Sequence, residues 1–154
     1  PSDFPGFFPD TKNLHMTSFA FVFPGQGSQS VGMLDAWGDH PVVLETLKEA
    51  SDALGEDVAQ LIHEGPKEAL AMTTNTQPVM LVSAVAAYRA WLAEGGAKPS
   101  VVAGHSLGEY SALVAAGALS LAQETQQLRA AVRVFQLGGE PPALMKSRPL
   151  ALMH

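Results

Sequence analysis

An α/β fold with a parallel sheet is the architecture this sequence predicts, on three observations. Two short apolar runs, Phe19 to Phe23 and Ser100 to Ala103, have the length and composition of strands, and each ends at a glycine-bearing turn. Segments of helical periodicity separate them, and strands alternating with helices build parallel sheets. The second run passes through a tight turn into an alanine-rich helical segment, giving strand, sharp turn and helix in that order. A hydrophobic content of 47% against 16% charged residues over 154 residues supplies a core for one such domain and argues against disorder for most of the chain.

The run from Phe19 to Phe23 is the first strand, closed by Pro24-Gly25. Asp39 reads as an N-cap and Pro41 as the first-turn proline of a helix; its apolar residues Val43, Leu44, Leu47, Ala50 and Leu54 recur at helical spacing until Gly55. Asp57 to His63 and Lys67 to Met72 are shorter helical pieces parted by Gly65-Pro66. Thr76-Gln77-Pro78 opens a long helix to about Glu94, with Val79, Leu81, Val82, Val85 and Trp91 making it apolar on nearly every face. Such a helix is expected to be covered on all sides. Gly95-Gly96 ends it before the second strand. Ser111 to Ala116 continues the helix after the sharp turn until Gly117, and Ser120 with Gln123 forms a capping-box pattern for one more.

Both ends of the chain differ from this middle. Residues 1–15 lack a basic n-region and precede Met16, where the regular pattern begins; they read as a disordered leader, with Met16 as the natural start. From Gln123 onward, Arg129, Arg133, Lys146 and Arg148 meet only Glu124 and Glu140, whereas the preceding sequence is acidic, and Pro141, Pro142 and Pro149 break any long helix. The chain thus divides into 1–15, 16–122 and 123–154.

A formal charge of -6, from 9 basic and 15 acidic side chains, gives no footprint for nucleic acid or an anionic membrane surface. With no cysteine there is no disulfide framework and no thiolate nucleophile or metal ligand, so covalent chemistry falls to a hydroxyl, an amine or a carboxylate; a reducing compartment is compatible. The longest apolar run, Val79 to Ala93, is interrupted by Arg89 and falls short of the roughly 20 residues of a membrane-spanning helix.

Gly104-His105-Ser106-Leu107-Gly108 matches G-x-S-x-G, in which a serine sits on a strained strand-to-helix turn. A Cβ on either flanking glycine would clash as the backbone reverses, and the helix N-terminus that follows aims free N–H groups at charge developing on a substrate oxygen. Ser106 then attacks a carbonyl and the Leu107 N–H is one oxyanion donor. The competing reading makes Ser106 a helix N-cap, with the glycines serving only tight packing. A second segment, Phe23-Pro24-Gly25-Gln26-Gly27-Ser28-Gln29, follows the first strand, where a glycine-rich loop can bring another backbone N–H toward Ser106. Alone it could equally be an ordinary turn, or a phosphate loop without its lysine.

Taken together, Val22 to Gln29, Thr76-Gln77-Pro78 and the run from Gly104 through Glu109-Tyr110-Ser111-Ala112 resemble the malonyl-CoA:acyl carrier protein transacylases, from about Met16 to Ala122. The resemblance implies an α/β-hydrolase-like parallel sheet with a nucleophile elbow, incomplete here and lacking an inserted small ferredoxin-like subdomain. It implies Ser106 as the catalytic nucleophile carrying a malonyl ester, the N–H groups of Gln26 and Leu107 as the oxyanion hole, and Gln77 in the substrate pocket. Malonyl-CoA is then substrate, acyl carrier protein with its phosphopantetheine arm is the partner, no metal or redox cofactor is called for, and the setting is cytoplasmic fatty acid biosynthesis.

The sequence departs from that pattern in two places. The family supplies a base histidine well after the nucleophile, beyond this chain's last residue. None of the five histidines here replaces it: His105 neighbours Ser106 and is expected to point away, His40 and His63 fall on helix starts or surfaces, His15 is in the leader and His154 is terminal. The resemblance also implies an arginine, in a Leu-Arg-Gly-type segment, that pairs with the malonate carboxylate. Ala131 occupies its place by spacing; Arg129 and Arg133 are each displaced by two residues, about 200° around a helix, and are expected to be solvated. Residues 123–154 therefore read as a divergent tail and the chain as a partial or inactive fragment. The alternatives are an α/β-hydrolase esterase, an acyltransferase domain of a polyketide or fatty acid synthase, and a catalytically dead carrier-protein-binding fragment.

Overall fold

A computed structural model describes residues 18–136. Strand β1 (Ala20–Phe23) leads through a glycine-rich loop and a short 3-10 turn (Asp35–Trp37) to helices α1 (Pro41–Leu54), α2 (Val58–Glu64), α3 (Lys67–Ala71) and α4 (Thr73–Ala93). Strand β2 (Val101–Gly104), α5 (Gly108–Ala115) and α6 (Leu121–Gln136) follow. The two strands pair in parallel, Ala20 opposite Val101 and Phe23 opposite Gly104, so the C-terminal ends of both strands come level. That register places the loop after β1 beside the turn after β2.

Helix α4 is the pillar of the molecule. Every residue from Pro78 to Ser83 is buried, because α1, α5 and α6 pack around it. The all-round apolar pattern read from the sequence has its cause there. Leu47, Ile62, Leu70, Leu81, Leu107, Leu121 and Leu128 belong to the main core, and a smaller cluster of Phe23, Tyr88, Val102 and Ala112 joins α4 and α5 to the sheet. Tyr88 stands edge-on to Phe21 and Phe23, with ring centroids 5.1 and 5.8 Å away, an arrangement aromatic quadrupoles favour.

Three expectations are corrected. The residue capping α1 is His40, not Asp39, and Pro41 stands at the first helical position, where its missing N–H costs nothing. Helix α4 begins at Thr73, three residues before Thr76, which leaves Pro78 inside it. Thr73, Thr74 and Asn75 are weak helix formers, but tertiary hydrogen bonds hold the first turn: Asn75 Nδ2 donates to the Ala69 carbonyl at 2.9 Å and Thr76 Oγ1 to the Leu70 carbonyl at 2.6 Å. The second bond gives the Leu70 carbonyl, near the end of α3, a partner, and the first adds a second donor to the Ala69 carbonyl, which also accepts the Met72 N–H at 3.2 Å. Third, Arg129 is buried and not solvated. Its Nη1 meets both carboxylate oxygens of Glu56, at 2.7 and 2.8 Å, tying α6 to the end of α1, while Arg133 remains largely exposed. Helix α6 runs without interruption through residues 122 and 123, and Ser120 Oγ accepts the Gln123 N–H at 3.2 Å, the first half of a capping box. Residues 1–17 and 137–154, which hold the leader and most of the tail, lie outside the described residues.

Candidate functional site

The turn between β2 and α5 is built by close backbone approach. A Cβ on Gly104 would lie 1.9 Å from the Gly108 carbonyl oxygen, and one on Gly108 would lie 2.2 Å from the Phe23 carbonyl oxygen. Glycine at 104 thus lets the turn fold onto its own strand, and glycine at 108 lets α5 start against the end of β1. Between them Ser106 has a φ of 54°, the sole positive φ of a non-glycine residue among the described residues. For a side chain bearing a Cβ that conformation costs roughly 1–2 kcal/mol. The competing reading of Ser106 as an N-cap fails, because α5 begins at Gly108 with Leu107 before it and no side-chain cap bond.

Ser106 is exposed and Leu107 is buried, so the turn anchors itself in the core by one side chain and presents the next one outward. The turn is closed by the Gly108 N–H to the His105 carbonyl at 2.9 Å and the Glu109 N–H to the Ser106 carbonyl at 3.0 Å. The loop after β1 lies against it: a Cβ on Gly25 would be 3.1 Å from the His105 carbonyl oxygen and 3.8 Å from Ser106 Cβ. No backbone carbonyl among the described residues accepts the N–H of Gln26 or of Leu107. The two residues named as oxyanion donors therefore sit on facing segments with N–H groups unengaged.

Gln77 is half-buried one helical turn before Met80 on α4. Met80 in turn touches the loop, its Sδ 3.9 Å from Ser28 Oγ. The helix face bearing Gln77 is thereby brought to the loop that bears Gln26. Sequence reading singles out the loop as a unit but not its anchors. Those are Ser28, whose hydroxyl donates to the Gly25 carbonyl at 3.4 Å, and Gln29, whose Oε1 accepts the Gly27 N–H at 2.8 Å.

The described histidines are placed elsewhere or beside the turn. His40 Nε2 pairs with Glu94 Oε1 at 3.0 Å, and His63 Nδ1 pairs with Asp35. His105 is exposed next to Ser106, and His15 and His154 lie outside the described residues. Among the described residues no side chain hydrogen-bonds Ser106 Oγ, and no group of three or more His, Asp or Glu side chains could hold a metal. Ala131 is buried in the face of α6, and Arg129 is committed to Glu56. Cavities of about 650 Å³ beside α1 and about 410 Å³ between α1 and α6 are lined by neither Ser106 nor Gln77. No helix among the described residues is long and apolar enough to cross a membrane.

Residues 20–137 match the family model described as the acyl transferase domain. The chain belongs to that family. Within the acyl transferase family it is 52% identical over 126 residues to the malonyl CoA-acyl carrier protein transacylase of Escherichia coli K12, covering 81% of this chain and 38% of that protein. The solved acyl-carrier-protein S-malonyltransferase of Burkholderia pseudomallei 1710b superposes with a TM-score of 0.75 at 62% identity, over 78% of this chain and 39% of that one. A malonyl-transacylase solved in complex with its type II PKS acyl-carrier protein gives a TM-score of 0.74 at 48% identity, over 79% of this chain and 40% of that one. The chain therefore spans about two fifths of the length of these acyl transferases, and the α/β arrangement found here is the one it shares with them.

Proposed function

We propose that this chain is the nucleophile-bearing portion of a malonyl-CoA:acyl carrier protein transacylase of fatty acid biosynthesis. The observation that carries the reading is the strained Ser106, held at a φ of 54° between two glycines that admit no Cβ and faced by the loop of Gln26. In this reading the turn is a nucleophile elbow in an α/β-hydrolase-like sheet. The later strands and an inserted ferredoxin-like subdomain belong to the portion of such enzymes that these residues do not span.

Ser106 Oγ attacks the thioester carbonyl of malonyl-CoA as its proton passes to a base, and the N–H groups of Gln26 and Leu107 stabilise the oxyanion. The C–S bond breaks, coenzyme A leaves as its thiol, and the malonyl ester of Ser106 remains. The phosphopantetheine thiol of acyl carrier protein then attacks the ester, and Ser106 recovers its proton. Gln77, on the α4 face that meets the loop, lines the acyl pocket. Two nucleophilic substitutions involve no electron transfer, so the reading calls for no redox cofactor; by the family resemblance it also calls for no metal, and its setting is the cytoplasm. The relative solved with its acyl-carrier protein supports that partner class.

A second reading has one observation in its favour. With no base on Ser106 among the described residues, the chain by itself would be a carrier-protein-binding fragment without turnover. Intact-mass spectrometry after incubation with malonyl-CoA, with Ser106→Ala alongside, separates the two. A malonyl adduct on the parent protein alone supports the transacylase reading; folded protein without an adduct supports the second.

A further inference from the structure

We infer that Ser28 and Gln29 together are positioning residues that hold the Gln26 N–H toward Ser106, Ser28 through the peptide unit that carries this N–H and Gln29 through the one that follows; this rests on the transacylase reading above. The loop needs such a device. Gly25 and Gly27 flank Gln26, and Gly27 adopts a φ of 116°. Glycines give the backbone access to that conformation and give it equal freedom to leave, since a peptide unit next to a glycine can rotate about its flanking bonds with little steric resistance. A free Gln26 N–H on an exposed loop would then sample many directions, and an oxyanion donor contributes most when it is aimed before the reaction.

Side chains from the same loop fix the peptide units on both sides of Gln26. Gln29 Oε1 accepts the Gly27 N–H at 2.8 Å, within the normal range for such a bond. Because the peptide is planar and trans, this also sets the direction of the Gln26 carbonyl, opposite to that N–H. Ser28 Oγ donates to the Gly25 carbonyl at 3.4 Å, a longer bond, which by the same planarity turns the Gln26 N–H the other way. Ser28 Oγ also lies 3.9 Å from Met80 Sδ, so the clamp is seated on α4, within its fully buried stretch from Pro78 to Ser83. Gln29 has a selective effect as well. By occupying the Gly27 N–H it leaves the Gln26 N–H as the unengaged donor of the pair.

The test uses the full 154-residue chain and has two readouts. Amide exchange measured by NMR should show Gly27 protected in the parent protein, exposed to the rate of an unstructured amide in Gln29→Ala, and protected again in Gln29→Glu, which keeps an acceptor. Acylation of Ser106 by malonyl-CoA, followed by intact mass, should slow about tenfold or more at saturation in Gln29→Ala, with the half-saturating concentration and the unfolding midpoint unchanged. Acylation of Gln29→Ala at the parent rate overturns the inference. Should the parent chain form no adduct, the transacylase reading fails for this chain, and amide exchange alone decides the clamp: equal Gly27 rates in parent and Gln29→Ala overturn it, and loss with recovery in Gln29→Glu supports it.

Discussion

A methyl group at position 104 would have to occupy space 1.9 Å from a backbone oxygen and 2.0 Å from its carbon, neither of which can yield as a side-chain tip could. Gly104→Ala is therefore expected to destabilise the fold by about 3 kcal/mol or more, at the upper end of overpacking costs, read as a lowered denaturant midpoint. Ser106 is the opposite case, a residue whose backbone is strained while its side chain is exposed. Replacing it by glycine relieves roughly 1–2 kcal/mol of left-handed strain and gives back roughly 0.4–1 kcal/mol through the looser unfolded chain. Ser106→Gly should thus be as stable as the parent or up to about 1.5 kcal/mol more stable in urea unfolding, and should form no acyl adduct. A clear loss of stability would mean that the serine side chain holds the turn, which would favour a packing role over a catalytic one.

At the scale of elements, two contacts decide how the helices are fastened. The Arg129 side chain is 7% exposed against 45% for Glu56, so removing the carboxylate strands a buried cation. Breaking a fully buried pair costs about 3–5 kcal/mol; with Glu56 half in water, about 2 kcal/mol is expected for Glu56→Gln, measured by thermal or urea unfolding. Tyr88 fastens α4 to the sheet, and burial pushes its phenol above the usual tyrosine range. The neutral form is thus favoured in the folded state, while the unfolded chain ionises near the ordinary value of about 10. Stability from this group is fully present below that value and is lost as pH rises through the folded-state value. Urea titrations from pH 9 upward should show the parent protein weakening more steeply than Tyr88→Phe, and identical slopes would count against the assignment.

For the molecule as a whole, the described sheet has two strands and hence two unpaired edges, and Val22 is 66% exposed on β1. Open edges and apolar faces invite pairing with further chains. The isolated 154-residue chain is expected to associate, seen as a mass above 16.2 kDa by light scattering after size exclusion. A monodisperse monomer with a cooperative melt would show that these residues cover their own edges.

What the sequence determined by itself is what short-range sterics and periodicity dictate. Apolar runs stopped by glycine define both strands, the all-apolar pattern marks α4 as buried, and glycines either side of Ser106 mark the sharp turn, because these signals lie within a few residues of their effect. Contacts between distant residues required the tertiary structure. The start of α4 at Thr73 depends on Asn75 and Thr76 reaching carbonyls of α3, and propensity alone places it later. The burial of Arg129 depends on Glu56, 73 positions earlier in the chain, so local spacing makes it a surface residue. The approach of Gly25 to Ser106 follows from the parallel register of β1 and β2, with Phe23 opposite Gly104. Only that register turns two separate glycine-rich segments into one candidate site.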